Sequence, residues 1–147
     1  MDVQGNGQSI VAGDMTPNVA DDTDFGSVIQ GNPAATSFTI ENLGTAVLNL
    51  TGSPLVAISG ADAADFTVSV SPAASLGAGA TTNLTITFTP SGLGTHTATV
   101  SIANNDADEN PYTFAISGTG TAVPAPEIDV QGNGQPIADG SNTPITA

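Results

Sequence analysis

The stretch Leu84-Thr85-Ile86-Thr87-Phe88-Thr89 alternates large apolar side chains with threonine without a break. Successive side chains of a β-strand point to opposite faces of the sheet, so Leu84, Ile86 and Phe88 share one face. The β-branched threonines suit the other, solvent-facing side of a pleated sheet. The stretch therefore predicts a strand with one buried face, which belongs in a protein built from packed sheets.

The same two-residue period recurs along most of the chain, with little apolar pattern at helical spacing. Short strands separated by glycine- and proline-rich turns predict an all-β fold, an immunoglobulin-like antiparallel β-sandwich of two sheets with about seven to nine strands. In Phe66-Thr67-Val68-Ser69-Val70 the three large residues are predicted to face inward. Residues 71–80 predict a loop, and residues 60–65 a single helical turn. The predicted core consists of the inward residues Phe38, Phe66, Leu84, Ile86, Phe88, Val100 and Phe114.

A long internal repeat defines the domain organisation. Asp2-Val3-Gln4-Gly5-Asn6-Gly7-Gln8 returns unchanged as Asp129-Val130-Gln131-Gly132-Asn133-Gly134-Gln135, and Ile10 likewise matches Ile137. A repeat of this length is a domain rather than a rung of a solenoid, so its natural context is a tandem array of like domains. We predict a sandwich domain over residues 1–122, a proline-rich linker over 123–126 and the opening strand of the next repeat over 127–147.

The composition excludes several classes of function. The 147 residues include fourteen acidic side chains and one histidine but no lysine, arginine or cysteine, which makes the formal net charge −14. Because no basic side chain can neutralise phosphates, we expect neither nucleic-acid binding nor direct contact with a membrane. Disulfides and thiolate metal sites are excluded as well. The uncompensated negative charge destabilises the compact state unless salt or a divalent metal screens it.

Five segments of the chain together resemble a known family. They are, in order, Phe25-Gly26-Ser27-Val28, Phe38-Thr39-Ile40-Glu41-Asn42-Leu43-Gly44, Gly60-Ala61-Asp62-Ala63-Ala64-Asp65-Phe66, Ile86-Thr87-Phe88-Thr89-Pro90 and Asn105-Asp106-Ala107-Asp108-Glu109-Asn110-Pro111-Tyr112. The series is similar to the choice-of-anchor D repeats of bacterial surface proteins, which are related to the Hydin-like immunoglobulin-like domains. The resemblance implies a secreted or surface-displayed protein that carries such domains in series, and it supplies no catalytic residues.

Two acidic segments are candidate metal sites. Asn105, Asp106, Asp108 and Glu109 place hard oxygen ligands in one predicted turn, and such ligands suit calcium. The segment lacks the glycine and the twelve-residue spacing of an EF-hand loop, and the alternative is a solvated acidic hairpin turn.

The second candidate metal site is the run Asp21, Asp22 and Asp24, with Asp14 nearby in sequence. Its three carboxylates lie within four residues and repel one another unless they are exposed or bridged by a cation.

Asp62, Asp65 and His96 have a predominantly structural interpretation from sequence alone. We expect Asp62 and Asp65 to act as turn and cap residues whose side chains accept backbone N–H bonds, with metal binding as the alternative. His96 falls on the inward side of its strand without a second histidine, which favours a structural role. A single histidine also leaves no pair of nucleophile and base, so we predict that the protein is not an enzyme.

These observations predict a structural repeat module of an extracellular bacterial surface stalk, adhesin or fibre, stabilised by calcium. An adhesive module that binds glycan or protein is the alternative, although aromatic residues are only 4% of the chain. The tail copies the opening strand, so it can add to a sheet edge in that strand's place. We therefore expect neighbouring copies or repeats to assemble head to tail, with a joint formed by Asp129, Val130, Gln131 and Ile137.

Overall fold

The structure is a computed structural model, and it describes residues 1–139 of the chain. A single 3-10 turn, Ala63–Asp65, interrupts a succession of strands, as the sequence predicted for this segment. The strands are, in chain order, β1 Asp2–Gly5, β2 Gln8–Ile10, β3 Asp24–Ile29, β4 Ala34–Glu41, β5 Leu48–Asn49, β6 Ala57–Ser59, β7 Phe66–Val70, β8 Ser75–Leu76, β9 Thr81–Phe88, β10 Gly94–Ile102, β11 Tyr112–Thr121, β12 Gln131–Gly132 and β13 Gln135–Pro136.

Two sheets form the body of the domain. One has five strands in the order β2-β1-β4-β9-β7, and the other has four in the order β3-β11-β10-β6. Neighbouring strands are antiparallel except for β3 and β11, which run parallel. This arrangement confirms the predicted immunoglobulin-like β-sandwich, with one parallel pair that the sequence pattern did not indicate.

The core lies between the two sheets and contains all seven predicted residues. Phe66 is 4% exposed, and the other six are fully buried in the same cluster. The rings of Phe66 and Phe88 stack with centroids 4.7 Å apart, and Phe38 packs against Phe114 across the sandwich at 5.6 Å. The alternation of Leu84, Ile86 and Phe88 therefore predicted the inner face of β9 correctly.

Two local predictions were wrong. Val70 was expected to face inward but is 49% exposed, because a bulge between Val68 and Val70 changes the register of β7 against β9. Residues 71–80 were predicted as a loop, yet they contain β8, which pairs with β5 and buries Leu76. Both departures depend on pairing partners that are distant in sequence.

The repeated heptapeptide forms a tight hairpin at the start of the domain. Strands β1 and β2 pair through an Asn6-Gly7 turn in which both residues have positive φ, 50° and 71°. Strand β1 also pairs with β4, so the hairpin forms one edge of the five-stranded sheet. Gly5 is required there, because a Cβ atom at this position would lie 1.8 Å from the backbone oxygen of Asp21.

The second copy of the heptapeptide forms the same hairpin. Asn133 and Gly134 have φ values of 53° and 72°, and β12 pairs with β13 in the register of the first copy. Strands β12 and β13 form a sheet of their own, separate from the two sheets of the sandwich. Residues 140–147, the last part of the predicted opening strand, lie outside the described residues.

Candidate functional site

The acidic turn around Asn105 is held by hydrogen bonds within the domain. The Asn105 side chain accepts from the backbone N–H of Asn49 at 2.7 Å and donates to the Val47 carbonyl at 3.1 Å. Asp108 is exposed. Asn105 and Asp106 also line a cleft of about 210 Å³. The predicted calcium ligand Asn105 therefore already has protein partners for both polar ends of its amide.

The other two carboxylates of this turn, Asp106 and Glu109, meet the N-terminal ammonium group of Met1. The ammonium lies 2.6 Å from Oδ2 of Asp106 and also contacts Glu109. The hydrogen bond from this ammonium lowers the pKa of Asp106. In this structure a cation thus occupies the space between two of the predicted calcium ligands.

The predicted cluster around Asp21 is built from separate local turns. Asp21 accepts hydrogen bonds from the backbone and hydroxyl of Thr23, and Asp24 accepts from the backbone N–H of Gly26 at 2.9 Å. Asp14 accepts from the hydroxyl and the backbone N–H of Thr16, and these bonds lower its pKa. Such Asx-type bonds are the ordinary role of aspartate in turns.

Neither predicted cluster brings three acidic or histidine ligand atoms within 4.8 Å of one another in the described residues. For Asp14, Asp21, Asp22, Asp24, Asn105, Asp106, Asp108 and Glu109, calcium binding stays a prediction.

A different trio of side chains does converge. Asp62, Asp65 and His96 each offer one ligand atom, and the three atoms lie within 4.8 Å of one another. Asp62 precedes the 3-10 turn and Asp65 ends it directly before β7, whereas His96 lies near the start of β10 in the opposite sheet. Asp65 and His96 are each 8% exposed, and Asp62 is half-buried. The trio therefore links the two sheets at one end of the sandwich.

The neighbours of the trio orient each member. Asp62 accepts from the backbone N–H of Thr97 at 2.9 Å, and Asp65 accepts from the Ser91 hydroxyl at 3.2 Å. Nε2 of His96 lies 3.1 Å from the carbonyl oxygen of Gly92, and Nδ1 lies 2.6 Å from Oδ2 of Asp65. Although this last contact is short, Nδ1 is buried and forms no hydrogen bond of acceptable geometry with any described residue.

Sequence reasoning predicted the environment of these residues but not their convergence. Asp62 accepts a backbone N–H as expected, but from Thr97 of β10 and not as a cap of its own turn. Asp65 accepts from the Ser91 hydroxyl, not from a backbone N–H, so its expected capping role was wrong. His96 is buried, as its inward phase predicted. The Asp-x-x-Asp spacing and the inward histidine were visible in the sequence, but nothing in it places residue 96 beside residue 65.

The tail residues predicted to form a joint lie on the second hairpin. In the first hairpin Val3 and Ile10 are 0% and 1% exposed, whereas their counterparts Val130 and Ile137 are 50% and 38% exposed. The Ile137 N–H donates to the Val130 carbonyl at 2.7 Å.

The two hairpins also share a side-chain hydrogen bond between glutamine and aspartate. The Gln131 amide donates to Asp129 at 2.5 Å, as that of Gln4 donates to Asp2 at 2.6 Å. The second hairpin thus has the internal structure of the first without its burial.

No helix among the described residues is long and apolar enough to cross a membrane.

No protein of curated function matches the chain. Solved structures share its fold. Domain 7 of human CEP192, an ASH/PapD-like domain, is 19% identical with a TM-score of 0.51, and the match covers 69% of this chain and 81% of that one.

Two bacterial structures are also similar. A protein of unknown function from Porphyromonas gingivalis W83 is 22% identical with a TM-score of 0.55, covering 65% of this chain and 42% of that chain. The VesB protease of Vibrio cholerae is 18% identical with a TM-score of 0.50, covering 65% of this chain. The match spans only 29% of VesB. At these identities the likenesses show the fold alone.

A family model for the HYDIN/CFA65/VesB-like, Ig-like domain matches residues 18–119, which is more than half of the chain. The matched range begins after the opening hairpin and ends within β11, so it omits β1 and β2 but includes β3 to β10 and most of β11. The chain belongs to the HYDIN/CFA65/VesB-like family of immunoglobulin-like domains.

Proposed function

We propose that this protein is a structural repeat module of an extracellular bacterial surface stalk, adhesin or fibre, in which like domains follow one another head to tail. The observation that carries the proposal is the second hairpin. It reproduces the turn, register and side-chain bond of the opening hairpin but leaves Val130 and Ile137 substantially exposed. The second hairpin therefore exposes apolar side chains, and it pairs with neither sheet of the sandwich.

The pairing of the first hairpin indicates which strand the second hairpin would pair with. Strand β1 pairs with β4, with Val3 opposite Ile40 and Gly5 opposite Phe38, and this pairing buries the hairpin's apolar residues. We infer that β12 occupies the same place against the β4 strand of a following repeat. The exposed segment from Val123 to Pro126 would then be the linker, since closely spaced prolines favour an extended chain.

Two observations support the surface location. The resemblance to choice-of-anchor D repeats implies a surface-displayed protein, and a further fold relative, VesC of Vibrio cholerae, is described as a secreted serine protease. That protease is 17% identical, and the match spans 21% of it. We propose a non-catalytic role for this chain, because its one histidine is buried and bonds to the Gly92 carbonyl.

The positions of the aromatic residues favour a structural role over glycan binding. A glycan-binding face would need exposed aromatic rings, and the chain has five phenylalanines and one tyrosine. Five of these six residues are buried in the core, and Phe25 packs against it. The flat aromatic surface that the alternative function requires is therefore missing from residues 1–139.

Calcium is the counterion that we propose for the folded module. The chain has fourteen acidic residues and no lysine or arginine. A bound cation would reduce the electrostatic repulsion among these carboxylates in the folded state. The two acidic loops around Asp21 and Asp106 offer the oxygen ligands that calcium prefers.

A fused two-repeat chain tests the head-to-tail proposal. In it, residues 1–138 are followed by a second copy of residues 12–126, so that β12 and β13 precede a complete set of partner strands. We expect hydrogen exchange to show the Ile137 amide protected in the fusion and exchanging faster in the 147-residue chain.

Val130→Asp supplies the matched control. In the fusion this change should destabilise the second domain by more than about 3 kcal/mol, because it buries an unpaired charge. In the 147-residue chain, where Val130 is 50% exposed, the same change should leave the melting temperature almost unchanged. A second domain that tolerates Asp at position 130 would overturn the proposed joint.

A further inference from the structure

The hydrogen bond between His96 and Gly92 defines the histidine tautomer. A carbonyl oxygen can only accept a hydrogen bond, so the contact between Nε2 and Gly92 requires the proton on Nε2. In a neutral imidazole, Nδ1 then carries a lone pair. That lone pair lies 2.6 Å from a carboxylate oxygen of Asp65, which also carries lone pairs. A positive charge has to lie between these two atoms for the contact to be favourable.

A proton on Nδ1 satisfies this requirement poorly. The N–H bond lies in the plane of the ring, and from there it points too far from Oδ2 of Asp65, 2.6 Å away, to form a hydrogen bond with it or with any other described residue. A buried N–H without a partner costs about 1 to 3 kcal/mol. A metal ion needs no such alignment with a single oxygen, because it can be bound by several ligand atoms at once.

The charge around His96 also calls for a cation. Asp65 is 8% exposed, and the half-buried Asp62 brings a second carboxylate to the same point. Buried carboxylates are normally paired with a cation or a metal. The whole chain has no lysine or arginine that could serve, so neutral His96 leaves the trio with two uncompensated negative charges.

We propose that Asp62, Asp65 and His96 bind one divalent cation of the zinc class, which fastens the two sheets together at this end of the sandwich. Imidazole nitrogen with carboxylate oxygen is a ligand set for zinc and similar transition metals, whereas calcium takes oxygen ligands. Zinc bonds of about 2.0 to 2.2 Å place any two ligand atoms no more than about 4.4 Å apart. The three ligand atoms lie within 4.8 Å of one another, so a small inward movement of the side chains would bring all three to one ion.

The surroundings of the trio resemble the support that metal ligands receive in proteins. Metal-binding histidines commonly donate their second N–H to a carbonyl or carboxylate, and bound carboxylates are themselves hydrogen-bonded. Here Gly92 accepts from His96, the Thr97 N–H binds Asp62 and the Ser91 hydroxyl binds Asp65. Three protein ligands leave a fourth tetrahedral position for water.

The single histidine makes the test direct. The full chain, stripped with chelator, is titrated with ZnCl₂ at neutral pH while the imidazole nitrogens are followed by NMR. We expect the Nδ1 resonance to shift with saturation and Nε2 to keep its proton, and the melting temperature to rise by several degrees in excess zinc. Unchanged imidazole resonances at saturating zinc would overturn the proposal and leave a simple His–Asp pair.

Variants distinguish this site from loose binding to the acidic surface. His96→Gln and Asp62→Asn should each weaken zinc binding about tenfold or more, whereas Glu41→Gln removes an acidic charge elsewhere and should leave the affinity unchanged. If all three variants bind zinc as the parent does, the metal is held elsewhere and the proposal is wrong. Asp62 is half-buried, so Asp62→Asn supplies a test even if His96→Gln does not fold.

Discussion

The phenol of Tyr112 donates a hydrogen bond to the backbone carbonyl oxygen of Ile10, and this contact joins the two sheets. Tyr112 is 2% exposed and Ile10 is 1% exposed, so water cannot replace either partner. Burial raises the pKa of Tyr112 to about 12, and the negative charges of Asp2 and Glu109 add to the increase. The strand that ends the sandwich is thus tied to the hairpin that opens it.

Alkaline pH should destabilise the protein through this residue. The unfolded tyrosine loses its proton near pH 10, whereas the folded one keeps it until about pH 12. Between these values the unfolded state binds fewer protons than the folded state, so stability falls as the pH rises. We expect a loss of about 2 to 3 kcal/mol over this interval, measured by urea unfolding.

Tyr112→Phe is the control for the alkaline prediction. The chain has no lysine, arginine or cysteine, so Tyr112 is the one side chain that titrates in this range. The variant should lose about 1 to 3 kcal/mol at neutral pH, because a buried carbonyl is left without its partner. Its stability should then fall much less between pH 10 and 12 than that of the parent, because the Met1 ammonium is common to both proteins, and an equal alkaline loss in both would contradict the assignment.

Phe88 and Gly118 should show strong coupling. A Cβ atom at Gly118 would lie 2.4 Å from the Phe88 ring, so Gly118→Ala forces this fully buried side chain to move. Phe88→Ala alone should cost about 3 to 5 kcal/mol through the cavity it creates. In the double variant the added methyl enters that cavity, so its loss should be smaller than the sum of the single losses. Additive losses in chemical denaturation would refute this packing.

Calcium should raise the thermal stability. A ligand that binds only the folded state at a hundredfold excess over Kd stabilises it by about 2.7 kcal/mol. Melts with CaCl₂ and with chelator plus NaCl at matched ionic strength should differ by several degrees. Asp22→Asn combined with Asp24→Asn should reduce the difference more than Glu41→Gln does. Identical melts in calcium and chelator would exclude the proposed role of this ion.

The tail should control assembly. Truncation after Pro126 removes β12 and β13, and with them the exposed Val130 and Ile137. If the hairpin pairs with a neighbouring copy, light scattering should show associated species at high concentration for the full chain and only monomer for the truncated chain. The sandwich itself should keep its melting temperature. Association that survives truncation would place the joint elsewhere.

Local patterns were enough to predict much of the fold. Leu84, Ile86 and Phe88 lie on the inner face because the pleat of a strand sends alternate side chains to opposite sides. The two Asn-Gly turns form hairpins because both residues adopt positive φ, which few other residues tolerate. These features depend on neighbours within a few residues, so the sequence alone carries them.

Pairing between distant segments was decided by the tertiary structure. The bulge that exposes Val70 arises in the register between β7 and β9, and β8 exists as a strand because β5 lies beside it. The parallel pairing of β3 with β11 likewise depends on the path of the chain between them. A two-residue period specifies which face of a strand is buried, but not which strand lies next to it.

The candidate sites also differ in whether local sequence or distant pairing determines them. The sequence predicted acidic turns at Asp21 and Asp106, and composition alone established that the chain has no lysine or arginine to neutralise them. The meeting of Asp62, Asp65 and His96 required the two sheets to pack, because the aspartates precede a strand of one sheet and the histidine lies in the other. His96 lies 31 positions after Asp65 and 34 after Asp62, and the three side chains meet only because the two sheets pack around a common core, which no local pattern encodes.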